Sequence, residues 1–196
     1  MACNKTTVIA LCAVWAFAGC APPYTLQEAG RTAVGGVYSV ETRVAWNAKS
    51  TGNATVWTDN GIDLDRTVFF NGVEDGQPLF GKSSIFPEDK PAQRFKSDMS
   101  IIEIAELFAN TMQTEGGWFK IEKRNMKAQN FGPFAGFAFD MNMTRENGLA
   151  YKGLAAGAVI EKKLYLIFFL APELSYYPRY IDAFKDLLSS IQKTSG

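Results

Sequence analysis

Residues 151–170 read YKGLAAGAVIEKKLYLIFFL. Two apolar runs, Tyr151 to Ile160 and Leu164 to Leu170, flank the short polar link Glu161-Lys162-Lys163. Apolar runs of strand length joined by so few residues predict a tight antiparallel hairpin. Leu164 to Leu170 is apolar at every position, which predicts a central strand covered on both faces. Pro172 ends it, because proline cannot donate to a strand ladder. Just upstream, Phe137, Phe139, Met141 and Met143 alternate with Ala138, Asp140, Asn142 and Thr144, the period of a half-buried strand. Trp118 to Lys127 reads as the strand before that. The segment therefore predicts four consecutive strands.

Helices frame this meander. Ser100-Ile101-Ile102-Glu103 has the form of a capping box, and Ile101, Ile104, Ala105, Phe108 and Met112 follow at helical spacing. Gly116-Gly117 closes that helix. From Ser175 or Pro178 to Gln192, the residues Tyr177, Tyr180, Ile181, Phe184, Leu187, Leu188 and Ile191 form one apolar stripe opposite Asp182, Lys185 and Asp186. Earlier in the chain, Val37 to Trp46, Ala54 to Thr58 and Leu64 to Phe70 read as strands, with a turn signal at Asp59-Asn60-Gly61. Gly72 to Gln93 is rich in Gly and Pro and reads as a long loop. Consecutive strands with short links pair antiparallel, and two helices then cover them. The predicted class is α+β: a mainly antiparallel sheet of about six strands between two helices, an α/β/α sandwich. This element order, with Trp46 at the end of the first strand and the closing strand–helix pattern, resembles the PsbP-like superfamily over residues 37–192. The resemblance carries no catalytic residue. It implies a binding or assembly role.

The chain has 196 residues and no histidine. That removes the commonest general base and metal ligand, and with them Ser-His-Asp triads and His-containing zinc sites. The charges balance, 20 basic against 20 acidic. No basic block supports nucleic-acid binding. The three cysteines are Cys3, Cys12 and Cys20, all within the first twenty residues, so the rest of the chain can hold neither a disulfide nor a Cys-based metal centre. No metal site and no cofactor are expected.

Those first residues form their own unit. Met1 to Thr7 is polar with one Lys, and Val8 to Gly19 is a twelve-residue apolar run, too short to span a bilayer at roughly 20 residues. A charged start, an apolar run and small residues at its end match a secretory signal peptide. Phe17-Ala18-Gly19-Cys20 resembles the lipobox of bacterial lipoprotein precursors, with Phe17 where Leu is usual. The resemblance implies cleavage between Gly19 and Cys20, a diacylglyceryl thioether on Cys20 and acylation of the new amino terminus. Two or more acyl chains anchor stably where one does not. Removal of residues 1–19 takes away Lys5 alone among the 40 charged side chains, leaving the mature chain at minus one. Ala21 after the lipidated cysteine resembles lipoproteins held in the inner leaflet of the outer membrane, facing the periplasm. The chain is also similar to proteobacterial lipoproteins of no assigned mechanism. Pro22-Pro23, Gly30 and Gly35-Gly36 suggest a tether over residues 20–36. The expected organisation is a signal peptide over 1–19, that tether, and one globular domain over 37–196.

Other motifs resolve to bland readings. Asp59-Asn60-Gly61-Ile62-Asp63-Leu64-Asp65 has three acids, but its Gly comes too early for an EF-hand and no Glu closes it, so it reads as a solvated turn. Ser190-Ile191-Gln192-Lys193 matches S-x-x-K without companion motifs. Gly153-Leu154-Ala155-Ala156-Gly157 falls in a strand, where small residues would let a helix pack closely. Asn53-Ala54-Thr55 and Asn142-Met143-Thr144 match glycosylation sequons, which have little meaning for a bacterial lipoprotein. Glu103, Glu106, Asp140 and Glu161 could supply paired acids, and Trp57, Trp118, Tyr176 and Tyr177 an aromatic platform. Three functions follow in order. The first is a non-enzymatic, lipid-anchored envelope domain that binds or scaffolds a protein partner, in contact with the membrane through its lipid and with no nucleic acid. The second is a carrier of a small apolar ligand between sheet and helix. The third is a histidine-free hydrolase.

Overall fold

The computed structural model describes residues 24–51, 53–80, 93–115 and 117–194. The hairpin at its centre is β9 (Ala150–Ile160) and β10 (Lys163–Pro172), paired from Ile160 opposite Lys163 to Tyr151 opposite Pro172. Glu161 and Lys162 make the two-residue link, both with positive φ, 50° and 64°. Two successive left-handed residues match the right-handed twist of the strands they join. β10 is buried on both faces, as its unbroken apolar run requires. The even-numbered residues Leu164, Leu166, Phe168 and Leu170 enter one core, and Tyr165, Ile167, Phe169 and Ala171 enter the other.

The meander runs β7 (Lys120–Phe131), β8 (Phe134–Thr144), β9, β10, each antiparallel to the next. β10 then pairs with β6 (Arg66–Val73), β6 with β5 (Ala54–Thr58), β5 with β4 (Trp46–Thr51) and β4 with β1 (Thr25–Gln27). The main sheet thus has eight strands, not about six. A second sheet of three strands joins β11 (Gln192–Lys193), β3 (Tyr38–Thr42) and β2 (Gly30–Val34). Two segments account for the difference. Residues 25–27 and 30–34 lie in the stretch expected as a tether, yet they are strands. Backbone pairing at a sheet edge needs no apolar side chains, so composition does not announce it. Val37 to Trp46 reads as one strand but β3 ends at Thr42 in the small sheet, and Trp46 opens β4 in the main one. Of the long loop expected over Gly72 to Gln93, residues 81–92 lie outside the described residues.

α1 (Ile101–Glu115) covers one face of the main sheet. Its start is the expected capping box: Ser100 N–H donates to Glu103 Oε2 at 2.7 Å and Glu103 N–H to Ser100 Oγ at 3.3 Å. Ile104, Ala105, Phe108 and Met112 are buried against Phe137, Phe139, Met141 and Met143 of β8. α2 (Tyr177–Ser189) and the small sheet cover the other face, burying Phe184 and Leu187 beside Phe169, Trp46 and Trp57. The α+β class and the helix–sheet–helix layering agree with the sequence reading. Gly153 and Gly157 serve a different contact from the one expected. A Cβ on Gly157 would meet the Tyr165 carbonyl at 2.5 Å, and one on Gly153 would meet Met141 Cε at 2.8 Å. Neighbouring strands crowd these positions, not a helix.

Candidate functional site

At one end of the main sheet β6 begins, β10 and β8 end, and β9 and β7 begin. Four connecting segments meet there. Phe119 N–H donates to the Thr144 carbonyl, Arg145 N–H to Leu149 and Glu173 N–H to Ala150, each at 3.0 Å. The Tyr151 hydroxyl donates to the Asp63 carbonyl at 2.9 Å and ties in the loop before β6.

That loop is built around Asp65. Its side chain is fully buried, and its carboxylate accepts N–H groups from Asp59 at 2.7 Å and Asn60 at 2.8 Å, and the Asn60 side-chain amide at 3.0 Å. The turn expected to be solvated throughout therefore has a buried strut. Tyr180 of α2 braces it from outside, donating to Asp59 Oδ2 at 2.8 Å. With Asp65 turned inward, Ile62, Asp63 and Leu64 face solvent.

The exposed side chains at this end are apolar to an unusual degree: Ile62 is 42%, Leu64 37%, Phe119 71%, Leu149 47% and Leu174 90% accessible. Singly exposed apolar residues are ordinary, but here five lie on adjoining loops at one end of the sheet. Beneath them lies Trp118, buried and edge-on to Tyr151 at 4.8 Å. Two guanidinium groups rest against its ring, Arg145 at 4.3 Å and Arg66 at 5.7 Å from the centroid. Arg145 pairs with Asp63 at 3.2 Å. Desolvation, then the neighbouring Arg145 charge, pulls the Arg66 pKa below its ordinary value.

Two grooves lie on the opposite, α2 side of the sheet. One of about 610 Å³ is lined by Lys127, Gln129, Asp140, Leu154, Leu188 and Ile191 among others. It passes the bulge at Asn125 and Met126, where Asn125 takes φ 52° and donates to Asp140 Oδ2 at 2.6 Å. The other, about 450 Å³, has Trp46, Phe169, Phe184 and Leu187 for walls and Glu41, Arg43, Asp182 and Asp186 at its rim.

The residues singled out in the sequence fare unevenly. Gly19 and Cys20, with Cys3 and Cys12, lie outside the described residues. The four acids are not brought together: Glu103 caps α1, Glu106 pairs with Lys123, Asp140 accepts from Asn125, and Glu161 sits in the β9–β10 turn. Trp57 lies in the core on the α2 face with Tyr176 and Tyr177 packed against it, and Trp118 in the core on the other face, so the four do not share one surface. Ser190 Oγ donates to the Leu187 carbonyl at 2.6 Å and accepts Glu41 N–H at 2.8 Å, a structural role at the end of α2. Among the described residues no group of acids is placed to hold a metal ion. Arg66 and Arg145 belong to no motif and carry no signal in the sequence. They are far apart in the chain, and only the strand register brings them to one indole.

No known protein family matches the chain, and no curated protein does. Solved structures resemble it to differing degrees. The cyanobacterial PsbP protein CyanoP from Synechocystis sp. PCC 6803 superimposes with a TM-score of 0.58 at 15% identity, over 92% of this chain and 99% of that one. The Ran-binding protein Mog1p of Saccharomyces cerevisiae gives 0.49 at 10%, over 86% and 94%. A Bacteroides thetaiotaomicron structure gives 0.49 at 9%, and this chain spans half its length. The likeness to CyanoP agrees with the expected PsbP-like architecture and speaks to fold alone.

Proposed function

We propose that this chain is a lipid-anchored protein of the bacterial cell envelope whose folded part binds a protein partner without catalysing a reaction. The observation that carries the binding part is the apolar surface formed by Ile62, Leu64, Phe119, Leu149 and Leu174 at one end of the main sheet. It is held by backbone hydrogen bonds between the loops, so it is preformed. A preformed surface costs less ordering on association than a flexible one. The anchor part rests on the lipobox-like Phe17-Ala18-Gly19-Cys20, and the location proposed with it is the inner leaflet of the outer membrane. Here the early strands matter. β1 starts five residues after Cys20. At about 3.4 Å per extended residue, a lipid on Cys20 holds the sheet edge within roughly 17 Å of the bilayer. The domain is then close to the membrane and not on a long leash.

Two measurements test the two halves. Metabolic labelling with a palmitate analogue should mark the wild type and not Cys20→Ala; equal labelling removes the anchor. A photo-crosslinking residue at position 119 should give a protein adduct in cells, and the same group at exposed Ile102 on α1 should not. Absence of an adduct at 119 removes the binding surface.

A second reading, a carrier of a small apolar ligand, is favoured by the 450 Å³ groove, which has an aromatic wall between sheet and α2. Trp46 lines it, so a hydrophobic fluorophore should be displaced and Trp46 emission should change if that reading holds.

A further inference from the structure

The apolar surface has a charged centre whose hydrogen-bonding capacity is not used up. Trp118 is buried, and its Nε1–H has no acceptor. Arg66 is half-buried, and its guanidinium makes no hydrogen bond or ion pair among the described residues. A guanidinium offers five donors and an indole one, and buried donors are normally satisfied. The cation–π stack explains why Arg145 lies on the ring, but stacking satisfies neither the indole N–H nor the Arg145 N–H groups beyond the one given to Asp63.

The acids of this end do not supply the missing acceptors. Asp65 is committed to its own loop, Asp59 accepts from Tyr180, and Glu173 pairs with Lys152 at 2.8 Å. Glu146 is exposed on the adjoining turn and pairs with neither arginine. Asp63 alone faces the pair, bonded to Arg145 and itself three-quarters exposed. Two cations thus share one solvated carboxylate beside an unpaired indole N–H. The two guanidinium groups are of the kind that pairs with a carboxylate through the donor fork.

We propose that the Arg66–Arg145–Trp118 centre binds a side-chain or terminal carboxylate of the partner's peptide chain, while apolar residues flanking that carboxylate pack on Phe119, Leu149 and Leu64. The inference rests on the binding surface described above and adds the chemistry of its occupant. A flat apolar contact alone would be indifferent to charge; this one discriminates for an acid. The carboxylate relieves the repulsion between the two arginines and takes up the free N–H groups of Arg66, while the Trp118 Nε1–H, sealed beneath them, reports the change through the guanidinium groups against its ring.

The test uses the lipidated full-length chain in neutral detergent, with nitrogen-labelled indoles. The probe is an acetylated, amidated pentapeptide with one aspartate between leucines, and its asparagine counterpart is the control. Trp118→Phe identifies the Trp118 Nε1–H resonance by its loss. That resonance should move on addition of the aspartyl peptide. The asparaginyl peptide should bind about tenfold more weakly, the scale of one charge-assisted contact. Arg66→Gln should weaken the aspartyl peptide about tenfold, and Arg66→Lys less, because lysine keeps the charge but loses the fork. Unchanged indole dispersion in the variants shows that they fold. Equal affinity for the two peptides overturns the proposal. So does a shift of the Trp118 resonance by phosphatidylglycerol vesicles without peptide, which makes the surface a lipid contact. Inorganic phosphate binding as tightly as the peptide overturns it too, since the site would then take a free oxyanion. Full crosslinking at position 119 in Arg66→Gln, with no charge discrimination, sinks this inference and leaves the binding surface standing.

Discussion

Replacement of Asp65 by alanine should loosen the loop that carries Ile62 and Leu64 of the exposed apolar surface. The carboxylate accepts two backbone N–H groups, at 2.7 and 2.8 Å, and the Asn60 amide at 3.0 Å. Asp65→Ala removes all three acceptor contacts. Each buried donor left without a partner costs about 1–3 kcal/mol, less where water enters. The loop lies at the sheet end, so water reaches part of the vacated space, and a net loss of about 3 kcal/mol is expected. That is a large share of the roughly 5–15 kcal/mol that holds a domain together. Urea unfolding followed by tryptophan emission measures it, with the midpoint falling at unchanged slope. Asp65→Asn keeps one oxygen acceptor but presents an amide donor where the carboxylate accepted, so it should lose about 2 kcal/mol. Both variants should also lower the crosslinking yield at position 62 more than at position 119, because position 119 hangs from β7 and β8. A loss below about 0.5 kcal/mol in Asp65→Ala, under the range for even one orphaned donor, would refute the claim that this carboxylate organises the loop.

Other outcomes follow from the same structure. Gly157→Ala sets a Cβ 2.5 Å from the Tyr165 carbonyl, so β9 and β10 must part locally; a loss of about 2–3 kcal/mol by urea unfolding is expected, as for other overpacked positions. Tyr180→Phe removes the hydroxyl that links α2 to Asp59 and Asn60 and should cost about 1 kcal/mol. Hydrogen bonds from Ser100 hold the Glu103 carboxyl below its ordinary pKa. Their contribution to stability is present above the unfolded-state pKa and is lost as pH falls through the lowered one, so Glu103→Gln should show a shallower acid decline. Burial, then Asp140, pushes the Tyr177 phenol up to about 12. Its neutral form is favoured by folding, so this contribution is full below the ordinary tyrosine pKa and is lost as pH rises through about 12; Tyr177→Phe should remove the phase near that pH from an ultraviolet phenolate titration.

The legible parts of the fold are those with a strong local signal. The all-apolar run of β10, the alternation along β8 and the Ser100–Glu103 box each follow from one stretch of chain. β1, β2 and β11 were not legible, because short edge strands are held by backbone hydrogen bonds and their side chains are largely exposed. The break after Thr42 was hidden because Val37 to Trp46 carries apolar residues suited to either sheet. Trp118 reads from sequence as the first residue of a strand or part of an aromatic platform, but not as a donor without an acceptor. Asp65 looked like its neighbours Asp59 and Asp63, and only its burial separates them.

Sequence alone determined what this protein can be made of: two helices on a mainly antiparallel sheet, no histidine, and no cysteine after Cys20. These follow from composition and from periods of two and 3.6 residues, which any short window displays. Tertiary structure decided where chemistry collects. Arg66, Trp118 and Arg145 share no motif and no spacing, and they meet because β6, β7 and β8 start or stop at the same end of one sheet. The register of the eight-stranded sheet fixes that meeting, and register is a property of the packed faces taken together, not of any single strand.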